Sequence, residues 1–294
     1  MSIRQITIIG TGLIGGSFGL ALKANGFRGK IVGCDRKEVL AKAKRKRAID
    51  AGAGDPVQAC KASDLVLLAI PVGGIIELVT SLAPHLSPDT LLTDVGSTKS
   101  EILRTAQKVF GTGTAHRFVG GHPMAGKENS GIEFADAELF RGAVWFLTPA
   151  RNQSFKSGRS AEFAALIRKV GARVAVLEAA EHDELCAWIS HVPQMISTAL
   201  ASTLVEEYGE NAPLLESGGR ALREMTRIAA SPYSMWRDIA ITNKQSIADA
   251  LLKLEQKLAH IRENLDTREL EREFEQAHRL KRSVKKNRLK VPPG

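Results

Sequence analysis

Short apolar runs alternate with amphipathic stretches through the first 178 residues. Residues 3–9 are apolar and β-branched, and residues 13–25 carry a helical pattern stopped by Gly26. Residues 30–34 read as a second strand and 37–47 as a charged surface helix. Continuous apolar runs at 65–70 and 91–95, the first closed by Pro71, suit strands covered on both faces. Runs at 118–121 and 143–147 continue the series, and 173–177 closes it. Strands separated by helices predict a parallel, doubly wound α/β sheet. From Ala179 the period changes. Leu185, Trp188, Ile189, Val192, Ile196, Leu200 and Leu204 recur at helical spacing, which predicts a long amphipathic helix with a kink at Pro193. Another helix is predicted from 235 to 261. The expected division is a sheet domain over 1–178 and an all-helical domain over 179–294.

Composition narrows the class. The 294 residues are 44% hydrophobic and 25% charged, which excludes fibrous and disordered chains and leaves room for two cores. No run reaches the roughly 20 apolar residues of a membrane span. The start, MSIRQITIIGTG, enters a strand directly, so no secretory signal is expected. Cys34, Cys60 and Cys186 are scattered and odd in number, which argues against a disulfide framework and for a reduced, cytoplasmic protein. The net charge of +9 is uneven. Arg279, Lys281, Arg282, Lys285, Lys286, Arg288 and Lys290 follow the last acid, Glu275, and leave +2 for the rest. The simple reading is a solvated, partly frayed basic extension; the sharper one is an anionic surface or nucleic acid, weakened by the lack of interleaved aromatics.

Gly10, Gly12 and Gly15 form G-x-G-x-x-G between the first strand and the first helix, with Leu13 and Ile14 opening the helix. Gly10 permits the turn, Gly12 lets the backbone approach a pyrophosphate, and Gly15 lets helix and sheet pack closely. The helix N-terminus adds unpaired N–H groups. Asp35, twenty residues after Gly15, can accept hydrogen bonds from ribose hydroxyls, which favours NAD over NADP. Arg36 beside it could instead accept a 2′-phosphate or stack on adenine. This is a Rossmann-type pattern.

Two more segments fall just past strand ends: DVGSTKS (94–100) and GGHPMAGKENSG (120–131). Ser97 and Thr98 stand where a helix begins, so capping is their simplest role. His122 is placed on a loop, where an imidazole could take a proton from a substrate hydroxyl. Lys127 is a weaker candidate for touching an anion. His182 follows Glu181 near a helix start and reads as surface, whereas His191 flanks the apolar stripe. Their nine-residue spacing, with no H-E-x-x-H or Cys/His cluster, argues against a metal. In TRIAASPYSMWRDI (226–239), Arg227 could grip a carboxylate bidentately; otherwise the stretch is an interhelical loop with a buried Trp236.

Taken together, GTGLIGGS, Asp35, DVGSTK, GGHPMAG, the His182-Asp183 and Ser190-His191 pairs, TRIA and MWRDI resemble the prephenate/arogenate dehydrogenase family of tyrosine biosynthesis. The resemblance covers residues 3–265 and implies a Rossmann-type domain followed by an all-α dimerisation domain. It implies NAD-dependent oxidative decarboxylation of a cyclohexadienol, prephenate, to 4-hydroxyphenylpyruvate. It casts His122 as the base, Ser97 as the group orienting the hydroxyl, Arg227 as the carboxylate ligand and His191 as pocket lining. Trp236 would reach toward a neighbouring subunit's site. A homodimer follows, with neither membrane nor nucleic acid as partner. The chain departs from the family's usual pattern at Gln194, where histidine is frequent, and at Glu224, near an expected aspartate. A neutral and an acidic side chain point opposite ways for prephenate and arogenate, so a dual or arogenate-preferring enzyme stays open. Neither a fused chorismate mutase nor a regulatory module is expected.

Two other readings compete. A different two-domain hydroxy-acid dehydrogenase would place a lysine on the first long helix of the second domain, where this chain reads HDELCAWISHVPQ. An NAD-sensing regulator would need a nucleic-acid-binding module, and no helix-turn-helix pattern is present.

Overall fold

Alternation within each strand decides which side of the sheet a residue faces. In β1 (Gln5–Ile9), Ile6 and Ile8 enter one core while Ile9 enters the other. The same split recurs in β4 (Leu65–Leu68), with Leu65 and Leu67 on the first face and Val66 and Leu68 on the second. A strand buried on both faces shows no polar alternation, which explains its continuous apolar sequence. Each fully buried Ile or Leu contributes roughly 1.5–3 kcal/mol.

The computed structural model describes residues 3–210, 213 and 216–289. The remaining strands are β2 (Lys30–Cys34), β3 (Ala51–Ala53), β5 (Leu91–Asp94), β6 (Phe118–Pro123), β7 (Val144–Thr148) and β8 (Arg173–Val176). Their order in one sheet is β3-β2-β1-β4-β5-β6-β7-β8. The sheet is parallel except at β6 and β7, which pair antiparallel with His122 opposite Phe146. The prediction of a parallel sheet therefore fails at this pair. No long helix crosses over between β6 and β7, so the chain returns in the opposite direction. β3 has the sequence AGA, too short and too weakly apolar to register as a strand.

Helices α1 (Leu13–Ala24), α2 (Lys37–Arg45), α3 (Pro56–Cys60), α4 (Val72–Leu82), α5 (Ser100–Phe110), α6 (Thr114–Arg117) and α7 (Gly158–Lys169) cover the sheet. On the first face Trp145 is fully buried among Phe18, Phe140 and Phe163, with ring centroids 5.1–6.1 Å away. After β8 come α8 (Ala179–Cys186), one π-helical turn (Ala187–His191) and α9 (Val192–Tyr208). The wide turn stands where a kink at Pro193 was predicted and accommodates the proline's missing N–H. The single helix expected over 235–261 is two, Tyr233–Thr242 and Lys244–Glu263, broken at Asn243.

The described residues form two compact units that divide between Ser246 and Ile247. In the second, the part of the Lys244–Glu263 helix after Ser246 and the helix Arg268–Leu289 are linked by Lys257 and Glu273 at 2.8 Å. The basic extension is helical to Leu289; Lys290 lies outside the described residues. Among the described residues no helix is long and apolar enough to cross a membrane.

Candidate active site

The ends of β1, β4 and β5 share one edge of the sheet, and β6, parallel to β5, brings His122 to the same edge. There Gly10 adopts φ +89°, and a Cβ on it would lie 2.2 Å from the Ala69 carbonyl. A Cβ on Gly15 would lie 2.0 Å from the Gly10 carbonyl, so close packing demands glycine. Gly12 differs, because a Cβ there meets no protein atom within 4 Å. Its missing side chain leaves open the approach to the start of α1, opened by Leu13 and Ile14, as a dinucleotide pyrophosphate requires. Asp35 stands beside this turn. Its Oδ2 accepts from the Thr11 N–H (2.7 Å) and its Oδ1 from the Arg36 N–H (2.8 Å). A cavity beside it is lined by Asp35, Lys37, Lys44 and Gly54. The residues fit a dinucleotide with Asp35 at its ribose end.

His122 is not on a loop. It lies within β6, 8% exposed, because Gly120 and Gly121 admit the neighbouring strands. A Cβ on Gly121 would lie 2.5 Å from the Asp94 carbonyl. His182, expected at the surface, is fully buried against it. Glu178 and Glu181 form a capping box that fixes the start of α8 and aims His182 inward. His182 Nε2 lies 2.9 Å from His122 Nδ1, and His182 Nδ1 lies 2.9 Å from Asp183 Oδ1.

Asp183 decides the direction of this chain. Its Oδ1 also accepts from the Lys99 N–H (2.7 Å), and its Oδ2 accepts from the Ser100 N–H (2.8 Å). It therefore caps α5 from another helix, and neither Ser97 nor Thr98 does so, contrary to the simplest sequence reading. Burial alone would raise the Asp183 carboxyl, but bonds from His182, Ser100 and Lys99 hold it below the usual carboxylate range. An ionised Asp183 only accepts, so His182 carries its proton on Nδ1 and accepts at Nε2. His122 then donates from Nδ1, which leaves its Nε2 lone pair free. Burial, followed by the neighbouring His182, Lys99 and His191, pushes His122 well below the ordinary imidazole value. Burial also lowers His182, against the Asp183 hydrogen bond.

Nothing local in the sequence marks Lys99 as part of the site. It is fully buried, paired with Asp94, and donates to the Gly121 carbonyl at 2.9 Å. It fixes the end of β5 to the strand carrying His122 and places a positive charge near the site. Cys186, one turn beyond His182, brings Sγ to 3.4 Å from His182 Nε2 and 3.9 Å from His122 Nδ1. Ser97 is half-buried on the loop before α5, and the protein partner of His122 is His182 rather than Ser97.

The helix break at Asn243 has a use. Asn243 Nδ2 donates to the Asp183 carbonyl (2.7 Å) and lies 3.2 Å from His191 Nδ1. His191 is fully buried, and burial takes it to about 4. Its Nε2 has no protein partner, and Trp236 lies edge-on against it at 5.9 Å. Trp236 thus packs on its own chain's histidine. The motif MWRDI also docks its helix, because Asp238 Oδ2 accepts from the Gly73 N–H at the start of α4 (2.9 Å). Arg227 is exposed and pairs with Glu128 at 2.7 Å. Both line a cleft of about 570 Å³ with Lys127, Ile228 and Ser231, built from the loop after β6 and the turn after residue 226. Gln194, buried, holds that turn by donating to the Ile228 carbonyl at 2.9 Å. Glu224 is exposed and paired with Arg220.

Residues 18–176 match the family model described as prephenate dehydrogenase, nucleotide-binding domain, and residues 178–281 match its dimerization domain. The chain belongs to the prephenate dehydrogenase family. It is 33% identical over 300 residues to prephenate dehydrogenase of Lactococcus lactis subsp. cremoris, covering 99% of this chain and 80% of that protein. It is 32% identical over 253 residues to cyclohexadienyl dehydrogenase of Zymomonas mobilis, covering 84% of each. The crystal structure of prephenate dehydrogenase from A. aeolicus with hydroxyphenyl propionate and NAD+ superposes with a TM-score of 0.83 at 32% identity, covering 98% of both chains. This family member is an NAD-dependent oxidoreductase with a Rossmann-type sheet and a helical C-terminal part.

Proposed function

We propose that the chain oxidises prephenate with NAD+ to 4-hydroxyphenylpyruvate and CO2, with His122 as the base. The observation that carries the assignment is the Asp183–His182–His122 chain, which leaves Nε2 of His122 as the acceptor. Bound NAD+ supplies the hydride acceptor. His122 Nε2 takes the proton of the ring hydroxyl as hydride leaves the carbon that bears it. The C–CO2 bond then breaks, its electron pair completes the aromatic ring, and the phenolate oxygen recovers the proton from His122. Ser97, on the loop after β5, orients the hydroxyl.

Arg227 binds a substrate carboxylate by exchanging Glu128 for it. An exposed pair of this kind is worth about 0–1 kcal/mol, so the exchange costs little. His191 and Trp236 line the pocket, and Gly10, Gly12, Leu13, Ile14, Gly15, Asp35 and Arg36 hold the dinucleotide. Glu224 is occupied by Arg220 and Gln194 is neutral, which supports prephenate. Glu128 on the cleft rim favours a second reading, in which the ammonium of arogenate is also accepted. Leu185, Trp188 and Ile189 of the apolar stripe are exposed in the single chain, which supports their burial in a homodimer. Three free, buried cysteines support a cytoplasmic setting.

The test is turnover of prephenate and arogenate, each with NAD+ and NADP+, followed by reduced nicotinamide. Prephenate with NAD+ should be fastest. His122→Asn should lower kcat by about 10²–10⁴, the usual scale for general-base work. Near-normal turnover of that variant removes His122 from the role.

A further inference from the structure

His122, His182 and Cys186 meet although 60 residues separate the first two, and Cys186 has no part in the dehydrogenase chemistry above. The three ligand atoms, His122 Nδ1, His182 Nε2 and Cys186 Sγ, lie within 4.8 Å of one another, and all three residues are buried. Their separations are 2.9, 3.4 and 3.9 Å. A tetrahedral zinc ion with Zn–N of about 2.0–2.1 Å and Zn–S of about 2.3 Å sets N···N near ~3.3 Å and N···S near ~3.6 Å. Every edge of the triangle is therefore within about 0.5 Å of one face of a zinc tetrahedron.

The surroundings supply a second observation. His182 donates its other ring nitrogen to Asp183, and Asp183 is itself held by the Lys99 and Ser100 N–H groups. A carboxylate behind a ligating histidine fixes its tautomer and raises its basicity. The Phe146 ring stands edge-on to His182 at 5.5 Å and keeps that side apolar. The Lys99 ammonium opposes a cation, but Asp94 balances it.

We propose that these three side chains form a binding site for a zinc-class divalent cation, and that its occupation switches the dehydrogenase off. The first part stands on geometry alone; the second rests on the reading of His122 as base. Two N donors and one S donor suit Zn²⁺ or Co²⁺ and not Mg²⁺ or Ca²⁺, which prefer oxygen. On binding, the Cys186 thiol gives its proton to solvent and a metal–thiolate bond forms. The metal takes Nδ1 of His122, so that ring's proton moves to Nε2. A protonated Nε2 donates and cannot accept the hydroxyl proton. The fourth position stays open for water, as in other three-ligand zinc sites.

Co²⁺ titration of the purified full chain reads the site directly. One equivalent should give tetrahedral d–d bands and a thiolate-to-cobalt charge-transfer band, and Cys186→Ser and Cys186→Ala should lose the latter. In the dehydrogenase assay, Zn²⁺ should abolish kcat reversibly, with activity restored by a chelator. Both Cys186 variants should keep kcat without metal within about twofold and need at least about tenfold more Zn²⁺ for the same inhibition, since losing a ligand costs no less than the roughly 10–100-fold of losing a hydrogen-bond partner behind one. Absence of a thiolate band at one equivalent, or an unchanged band in both Cys186 variants, overturns the site. A normal cobalt spectrum with undiminished turnover overturns the switch and keeps the site. A normal spectrum on a chain with no dehydrogenase activity overturns the functional reading instead.

Discussion

Asp183→Asn tests the relay most sharply, because the carboxylate accepts three bonds and an amide cannot. Oδ1 takes the Lys99 N–H and the His182 Nδ1 proton, and Oδ2 takes the Ser100 N–H. If the amide oxygen keeps the first position, its NH2 faces the Ser100 N–H, and that donor at the start of α5 loses its partner. If the amide flips, its NH2 faces His182, which then accepts at Nδ1 and donates from Nε2. His122 must in turn accept at Nδ1 and carry its proton on Nε2, the wrong form for a base. The flipped form strands the buried Lys99 N–H, at about 1–3 kcal/mol of stability, and the other form strands the part-buried Ser100 N–H, at the low end of that range. The flipped arrangement also removes the base, and kcat should fall by about 10²–10⁴. KM for prephenate should change little, because Asp183 is placed behind the histidines and not at the substrate. Urea melts and steady-state kinetics on the same preparation separate the two effects. A folded Asp183→Asn enzyme with both kcat and unfolding free energy at wild-type values would refute the relay, because the flipped form must lower kcat and the unflipped form must lower stability.

Because His122 is held below the ordinary imidazole value by burial, it stays an acceptor in moderately acid solution. The acid limb of kcat/KM against pH should lie below about 6.5, and a limb above that value would contradict this environment. His191 is taken from 6.5 to about 4 by burial. The unfolded chain then binds a proton that the folded one refuses, so His191's share of stability is complete above about 6.5 and is lost as pH falls toward 4; at about 1.4 kcal/mol per tenfold change it amounts to about 3 kcal/mol. Urea unfolding at neutral pH and near pH 4.5 in wild type and His191→Gln should show a smaller loss in the variant. Gly12→Ala should fold with wild-type stability yet raise KM for NAD+ by about tenfold or more, since its methyl meets only space left for the pyrophosphate. Gly15→Ala, with a Cβ 2.0 Å from the Gly10 carbonyl, should instead lower the melting temperature.

The chain by itself determined whatever depends on short-range pattern. Strands buried on both faces showed as unbroken apolar runs, and the glycine turn and Asp35 showed because their spacing is set within one βαβ unit. His122 stood out for its place between Gly-Gly and proline; the strand showed over 118–121, but not its continuation through His122 and Pro123, since small and irregular residues carry little apolar signal. Tertiary structure alone decided what His122 touches. Asp183 caps a helix that begins 83 residues earlier, Asp238 caps another 165 residues away, and Lys99, just before α5, ties the end of β5 to Gly121 in β6. The one local trace of the cluster was the four-residue spacing of His182 and Cys186 on a single helix face, and it was silent without its third member. Unpaired backbone N–H groups at a helix start donate to any carboxylate that packing delivers, so periodicity can locate the helix but cannot say which distant acid will arrive to complete it.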